Sequence, residues 1–175
     1  MRLFIAINFD EQTKQHILEV QRQLHRIGRG RFSRPENLHL TLAFLGEVEA
    51  NRVKPVCQAM DSLSFTPMTL EFAHTGCFKR DGGNVWWIGL ADSKALTTLQ
   101  RMLCDRLQEN GMVLESRPFI PHITLARQVN FSCPVTQDLL TTPFTTKVDT
   151  ISLMLSQRES GRLNYIEQYA VKSKE

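Results

Sequence analysis

Two short segments of this 175-residue chain each place a histidine and a threonine two positions apart in an apolar run. The first motif is residues 33–43 and the second motif is residues 116–126, and seven of their eleven positions are identical at a constant offset of 83 residues. Side chains two positions apart point to the same face of a β-strand. Each motif therefore presents an imidazole beside a hydroxyl. The pairs are His39 with Thr41 and His122 with Thr124.

Paired histidines and threonines of this kind suit displacement at a phosphorus atom. The pKa of histidine lies near neutrality, so one imidazole can take a proton from the attacking oxygen while the other gives a proton to the leaving oxygen. The threonine hydroxyls can donate hydrogen bonds to the non-bridging phosphate oxygens, which hold the charge of the transition state. The near-symmetry of the two motifs does not by itself show which histidine is the acid.

The other three histidines do not complete a metal site. Two lie on the first predicted helix and one on a separate strand, so no local spacing supplies the third ligand that a zinc ion needs. We interpret His16, His25 and His74 as structural or solvent-exposed. The sequence therefore predicts neither a metal ion nor another cofactor.

The charge balance permits an anionic ligand without requiring one. The chain has 21 Lys and Arg against 18 Asp and Glu, a formal net charge of +3, and polyanion binding depends on clustering more than on such a balance. One basic cluster leads into the first motif, and it is compatible with a solvated loop or with a phosphate-facing loop. It consists of Arg26, Arg29, Arg31 and Arg34.

The cysteines and the N-terminal residues favour the cytoplasm. The four cysteines form no C-x-x-C pair, which argues against a zinc knuckle or a redox motif and is compatible with reduced thiols. The apolar run Leu3–Ile7 is too short for the core of a signal peptide and is interpreted as a strand. The cysteines are Cys57, Cys77, Cys104 and Cys133.

The repeat extends beyond the motifs, because both halves predict a strand, a helix and a motif strand in that order. The strands are Arg2–Asn8 and Val85–Leu90, and the helices run from a cap at Asp10 to Gly28 and from a cap at Asp92 or Ser93 to Gly111. The buried stripes of the helices are predicted at Ile17, Val20, Leu24 and Ile27 and at Leu96, Leu99, Leu103 and Leu107.

Further elements complete each half. Alternating apolar residues predict a strand at Thr69–Phe78, which a turn at 81–83 leads back into Val85–Leu90. With these additional strands, neither motif strand is expected at the edge of a sheet. The remaining strands and helix are predicted at Val148–Leu155, at Asn164–Val171 around a turn at 159–162, and through Val53–Leu63.

The predicted fold class is α+β. We expect one bilobal domain over residues 1–175, in which two similar lobes are related by a pseudo-two-fold axis. Each lobe is expected to be an antiparallel sheet backed by helices. The groove between the two sheets would bring the motif strands face to face.

With these motifs the chain resembles the 2H phosphoesterases, a family named for two His-x-Thr/Ser motifs. It is most similar to the branch of RNA 2′,3′-cyclic phosphodiesterases, also known as 2′-5′ RNA ligases. The similarity covers the first strand and the stretches Asn37–Gly46 and Arg117–Arg127. A single His-x-Thr is a weak signal, whereas two of them at this separation are a strong one.

The resemblance implies a metal-independent hydrolase that converts an RNA 2′,3′-cyclic phosphate to a 2′-phosphate. It also implies that His39 is the proton donor to the leaving 3′ oxygen and that His122 is the proton acceptor that activates water. With an RNA 5′ hydroxyl in place of water, the same residues would form a 2′-5′ bond. The implied partners are RNA ends, including those of tRNA fragments, and the chain is expected to be a monomer.

Two residues five positions after the histidines are further candidates. Arg127 matches a phosphate-contacting arginine of the family, but its odd offset from His122 places it on the groove face only if a bulge or the strand end intervenes. Phe44 has the same offset from His39, and we expect it in the core, with base stacking as the alternative. Core burial is also expected for Phe119, Trp86 and Trp87.

Several alternatives remain open from the sequence. The same chemistry would suit a small cyclic nucleotide or ADP-ribose cyclic phosphate, which a series of substrate lengths would separate from RNA. A module that only binds RNA ends would keep its ligand after both histidines are replaced. Arg34 and Arg117 repeat in register and either contact phosphate or anchor the loops before the prolines.

Overall fold

The described part of the chain, residues 1–132 and 134–175 of a computed structural model, contains nine strands and three helices. Cys133, one of the predicted thiols, lies outside these residues, while Cys57, Cys77 and Cys104 are free thiols. Short 3₁₀ turns cover Pro35–Asn37 and Ala50–Arg52. In chain order the elements are β1 Arg2–Asn8, α1 Glu11–Ile27, β2 Gly28–Phe32, β3 His39–Glu47, α2 Val53–Asp61, β4 Met68–Phe78, β5 Asn84–Leu90, α3 Lys94–Glu109, β6 His122–Phe131, β7 Phe144–Val148, β8 Thr150–Glu159 and β9 Arg162–Lys172.

The helix boundaries follow from local chemistry, as predicted. The side chain of Asp10 accepts a hydrogen bond from the backbone N–H of Thr13 at 2.7 Å and caps α1. Of the two candidate caps of α3, Ser93 is the one that accepts from the helix. The predicted apolar stripes of both helices are buried, except that Ile27 is only partly so. Among the described residues, no helix combines the length and apolar character needed to cross a membrane.

The strands form two antiparallel sheets of the same plan. One sheet has the order β3-β1-β8-β9, and the other has the order β2-β6-β5-β4-β7. By their position in the sheets, β3, β1, β8 and β9 correspond to β6, β5, β4 and β7, so that the second sheet has one extra strand outside β6. This arrangement confirms the α+β class with two similar lobes.

Three strand predictions were wrong. Gly28–Phe32, interpreted as a basic loop, is β2 and pairs with β6. Because β2 has no counterpart beside the first motif, β3 lies at the edge of its sheet, contrary to the expectation for both motif strands. Val148 ends β7, a strand that the sequence did not indicate, and the next strand begins at Thr150.

The two long helices cross between the lobes. α1 follows β1 in the chain but packs on the five-stranded sheet, where the hydroxyls of Thr13 and Thr146 lie 2.8 Å apart and are buried. α3 follows β5 but packs on the four-stranded sheet, where Gln100 Nε2 donates to the carbonyl oxygen of Leu42. Each sheet is therefore covered by a long helix that follows a strand of the other sheet, and one hydrophobic cluster connects both lobes.

Candidate active site

A groove of about 1200 Å³ lies between the inner faces of the two sheets. Both motifs contribute their polar faces to it: His39 and Thr41 line the groove from β3, and His122 and Thr124 line it from β6. The intervening residues point the other way, and Leu40 and Ile123 are fully buried in the core. The strand alternation thus places the four residues singled out by the sequence around one space.

Backbone carbonyl groups fix the tautomer of both histidines. Nδ1 of His39 lies 2.7 Å from the carbonyl oxygen of Asn37, and Nδ1 of His122 lies 2.6 Å from that of Ile120. A carbonyl oxygen only accepts hydrogen bonds, so each Nδ1 carries a proton. Nε2 is therefore the atom of each ring that can exchange a proton. Nε2 of His39 also lies 3.0 Å from the hydroxyl of Thr41.

Burial lowers the pKa of both motif histidines in the protein without substrate. Burial lowers the pKa of His39 to about 4, opposed by its hydrogen bond to Asn37 and assisted by the positive charges of His122 and Arg127. Burial also lowers the pKa of His122, again opposed by its backbone hydrogen bond and assisted by Arg127. With these groups alone His39 is neutral at pH 7, so it can donate a proton only when a nearby negative charge raises its pKa.

A β-bulge follows the threonine in each motif at the same repeat position. Along β3, Ala43 pairs with Ile5 and Thr41 with Ala6, which leaves Leu42 as the extra residue. Along β6, Ala126 pairs with Trp86 and Thr124 with Trp87, which leaves Leu125 extra in the same way. An extra residue shifts the alternation of side chains that follow it, so the residues five positions after the histidines return to the groove face.

Arg127 and Phe44 both line the groove as a result. The odd offset of Arg127 from His122 required a bulge, and the bulge is present. The guanidinium of Arg127 is close enough to lower the pKa of both histidines. The expectation of core burial for Phe44 was wrong, because its side chain is 63% exposed. Its ring centroid lies 6.3 Å from that of Phe4.

Glutamines from the crossing helices hold the carbonyl groups of the two bulge residues. Gln21 of α1 donates from Nε2 to the carbonyl oxygens of Leu125 at 2.9 Å and Ser33 at 2.8 Å. Gln100 of α3 donates to Leu42 at 3.3 Å. A bulge leaves ladder hydrogen bonds unmade, and a buried carbonyl group needs a donor. Neither glutamine was predicted, and their only sequence signal is a polar residue within a buried helix face.

Comparison with known proteins identifies the family of this chain. The family model described as LigT like phosphoesterase matches residues 7–87 and again residues 88–165. The chain belongs to this family. The two matched stretches follow one another as the two halves of the repeat do, so each half of this LigT-like phosphoesterase carries one motif of the groove.

Individual proteins with similar sequences or structures support the family assignment. An RNA 2′,3′-cyclic phosphodiesterase of Escherichia coli is 33% identical over 130 residues, which cover 74% of this chain and 73% of the relative. A protein of the same name from Thermotoga maritima is 34% identical over 136 residues, covering 73% of this chain and 70% of the relative. The crystal structure of E. coli LigT complexed with 3′-AMP matches with a TM-score of 0.83 at 27% identity and covers 99% of this chain and 98% of that one.

In this LigT-like phosphoesterase each motif histidine contacts two aromatic rings. The ring of His39 lies 4.9 Å from Phe4 and 5.0 Å from Tyr165, which it meets edge-on. The ring of His122 lies 4.9 Å from Phe78, also edge-on, and 6.1 Å from Trp87. These rings are part of the surroundings whose burial of the imidazoles lowers the histidine pKa values. The sequence signal that was missed is the offset of 83 residues between Phe4 and Trp87.

The basic cluster before the first motif divides between the groove and the outside. Arg31 and Arg34 line the groove, whereas Arg26 and Arg29 are exposed elsewhere. Arg34 donates to the carbonyl oxygen of Leu163 and to the side chain of Asn164, which favours the loop-anchoring interpretation. Arg117 lines the groove while paired at 2.9 Å with Glu115.

The remaining predicted residues lie away from the groove. His16, His25 and His74 are exposed and pack on the rings of Phe144, Phe32 and Trp87. Trp86 and Phe119 are partly buried against the core, as expected. Trp87 is partly buried beside His122 and not in the main core. Within the described residues, no group of three or more histidine, cysteine or carboxylate side chains could hold a metal ion.

Acid is expected to destabilise this protein partly through His39. The folded pKa of about 4 lies below the ordinary 6.5, so the unfolded chain binds this proton first as the pH falls. The contribution of neutral His39 to the unfolding free energy is therefore fully present above pH 6.5 and is lost as the pH falls towards 4. Between pH 7 and pH 4.5, urea denaturation should show that the wild type loses about 2 kcal/mol more unfolding free energy than His39→Gln. The exposed control His16→Gln should behave as the wild type, and equal losses in His39→Gln and wild type would contradict the prediction.

Proposed function

We propose that this phosphoesterase hydrolyses the 2′,3′-cyclic phosphate end of RNA to a 2′-phosphate, with the two motif histidines as acid and base. The observation that supports it most is that both motifs line one groove from opposite sheets with Nε2 as the exchangeable atom. Two such atoms on opposite sides of a phosphorus satisfy the in-line geometry of displacement. The relatives named RNA 2′,3′-cyclic phosphodiesterase point to the substrate.

The proposed reaction balances with two proton transfers. A water oxygen attacks phosphorus while Nε2 of His122 accepts its proton. The bond from phosphorus to the 3′ oxygen breaks, and the protonated Nε2 of His39 gives its proton to that oxygen. The product is a 2′-phosphate with a free 3′ hydroxyl, and a return of the proton between the rings through solvent resets the site.

The proposed role of Thr41, Thr124 and Arg127 is to hold the non-bridging phosphate oxygens. The hydroxyl of Thr41 is 3.0 Å from Nε2 of His39 and donates to it while that ring is neutral. Once Nε2 is protonated, Thr41 can turn its donor to the phosphate. Arg127 supplies a positive charge from the bulged part of β6. These donors act in a half-buried groove, where fixed donors stabilise developing charge better than water does.

In this proposal the negative charge of the substrate raises the pKa of His39 and so allows this residue to act as the acid. A cyclic phosphodiester carries one negative charge, and an anion beside an imidazole raises its pKa. Because burial keeps the pKa of His39 near 4, the proton that it gives to the leaving oxygen is taken up together with the phosphate. The enzyme is then unprotonated at His39 until substrate arrives.

The proposed partners and setting follow from the same chemistry. RNA fragments with cyclic ends, including cleaved tRNA, would be the substrates in the cytoplasm. Since both motifs lie in one chain, residues 1–175 carry a whole site, and a monomer suffices. With an RNA 5′ hydroxyl in place of water as the nucleophile, the same displacement would make a 2′-5′ bond. The small cyclic nucleotides considered above are the competing substrates.

The test is turnover of a short RNA that ends in a 2′,3′-cyclic phosphate, with the product identified by mass and by its resistance or sensitivity to a 3′-specific phosphatase. We expect a 2′-phosphate, formed at the same rate with EDTA because the two histidines supply both proton transfers. A 3′-phosphate product would show that the 2′ oxygen leaves, and the proposed leaving group would be wrong. Absence of turnover with RNA and with mononucleotides would reject the proposal.

A further inference from the structure

One arm of the groove carries positive charge beyond the residues of the proposed reaction. We call it the hairpin arm and define it by Arg2, Phe44, Arg158 and Arg162, all of which line the groove. Arg2 begins β1, and the other two arginines flank the turn between β8 and β9. All three arginine side chains lie on the four-stranded sheet, the lobe that carries His39.

The arginines of the hairpin arm are available for a ligand. None of the ion pairs among the described residues includes Arg2, Arg158 or Arg162, and all three are exposed. The one acidic residue of the groove near Arg2, Glu47, lies 3.3 Å from the N-terminal ammonium group. Glu47 and Glu159 are the cross-strand neighbours of Arg2 and Arg162, yet neither forms an ion pair with its neighbour. Exposed cations that are grouped and form no ion pair indicate a site for an anion.

The hairpin arm is continuous with the surroundings of His39. Tyr165 meets the His39 ring edge-on at 5.0 Å, and it pairs across the hairpin with Ser156, two positions before Arg158. Burial raises the pKa of the Tyr165 hydroxyl, while the nearby charges of Arg127, Arg2 and Arg158 lower it. These charges therefore begin within electrostatic reach of the catalytic groups and extend outward from them.

The direction of the proposed displacement points an RNA chain into this arm. Water attacks from the His122 side, and the leaving 3′ oxygen faces His39. That oxygen belongs to the terminal ribose, so the ribose and every nucleotide before it lie on the His39 side of the phosphorus. Single-stranded RNA is held by cations that follow its phosphates and by rings that stack on its bases. The hairpin arm offers both, since the exposed residue Phe44 lines the same groove as its arginines.

We propose that the hairpin arm binds the nucleotides that precede the cyclic phosphate, with Arg2 and Arg158 contacting their backbone phosphates. This inference rests on the proposed function and narrows its substrate to an oligonucleotide. A mononucleotide has no such phosphates and leaves the arginines unused. The enzyme therefore discriminates by length, through KM more than through kcat, because the arginines lie away from the reacting atoms.

The experiment compares adenosine 2′,3′-cyclic phosphate with a five-nucleotide RNA that ends in the same group. For the wild type we expect a lower KM with the oligonucleotide and a KM that rises steeply with salt. In Arg2→Ala/Arg158→Ala the preference for the oligonucleotide, expressed as the ratio of kcat/KM values, should fall about tenfold. The slope of log KM against log salt should decrease by about 0.7 for each lost contact.

Two matched variants make the result specific. Arg29→Ala/Arg101→Ala removes the same charge from exposed positions outside the groove and should leave the preference unchanged. Arg31→Ala/Arg117→Ala removes it from the opposite part of the groove. If that pair lowers the preference and Arg2→Ala/Arg158→Ala does not, the RNA runs the other way and the inference is overturned. Equal wild-type kinetics on both substrates would also overturn it.

Binding separates a failure of this inference from a failure of the proposed function. Fluorescence anisotropy with a five-nucleotide RNA ending in a 2′-phosphate measures the hairpin arm without turnover. If neither cyclic substrate is hydrolysed, the proposed function fails, and weaker binding by Arg2→Ala/Arg158→Ala alone would still support the arm. If hydrolysis proceeds but this variant binds the RNA as tightly as wild type, the proposed function stands and the arm is rejected.

Discussion

Replacement of either motif histidine by alanine is expected to lower kcat on an RNA 2′,3′-cyclic phosphate by about 10²- to 10⁴-fold. Each ring presents its Nε2 atom to the groove and has its Nδ1 proton held by a backbone carbonyl group. Alanine removes the proton carrier and leaves the strand backbone in place. KM should change less than kcat, because Thr41, Thr124 and Arg127 still contact the phosphate in the proposed complex.

The pH dependence of these variants assigns the roles. The kcat of the wild type should rise with pH as the base loses its proton and fall at higher pH as the acid loses its proton. His122→Ala should lose the rising limb, since no base remains to titrate, and His39→Ala should lose the falling limb. The exposed variant His16→Ala should retain the bell shape. Interchanged limbs would reverse the roles, and full activity in either motif variant would contradict acid–base catalysis by that residue.

Removal of the threonine hydroxyls is expected to have the next largest effect. Thr41→Val and Thr124→Val keep the side-chain shape in strands whose other face is fully buried, so the fold should persist. A lost donor to transition-state charge costs about 2.7–4 kcal/mol, or about 10²- to 10³-fold in kcat. The measurement is kcat at saturating RNA for each variant, with unfolding midpoints to verify the fold.

The two threonines should differ in one respect. The hydroxyl of Thr41 lies 3.0 Å from Nε2 of His39, so Thr41→Val should also move the limb of the pH profile that belongs to His39. Thr124→Val should lower the rate with that limb in place. Thr145→Val, at an exposed position of β7, is the control and should have wild-type kinetics. If kcat is undiminished in both Thr41→Val and Thr124→Val, the threonine hydroxyls do not hold the phosphate, and the prediction is wrong.

The repeat made the centre of the site predictable from the sequence. Strand alternation puts residues two positions apart on one face, and that rule placed His39 beside Thr41 and His122 beside Thr124 in the groove. The helix caps at Asp10 and Ser93 were equally local, since each is one side chain and the N–H groups that follow it. These features depend on neighbours in sequence, which the sequence displays directly.

Other features depend on partners distant in sequence and were missed for that reason. Gly28–Phe32 has no apolar alternation, and it is a strand because the backbone of β6 pairs with it. The exposure of Phe44 follows from an extra residue at Leu42, which only the pairing with β1 reveals. The apolar stripe of α1 showed which face is buried but not that the five-stranded sheet, which lacks β1, buries it.

The crossing of α1 and α3 between the lobes bears on how such a chain arose. Neither half of the repeat has a sheet of its own, because the four-stranded sheet takes β1 and β3 from the first half and β8 and β9 from the second. Its helices α2 and α3 also come one from each half. Two halves that share strands and helices in this way resemble a domain-swapped dimer. We therefore expect that neither half of this chain folds on its own. Joining two such halves in one chain makes their association independent of concentration and lets each half diverge, as Phe44 and Arg127 show at equivalent positions of the two motifs.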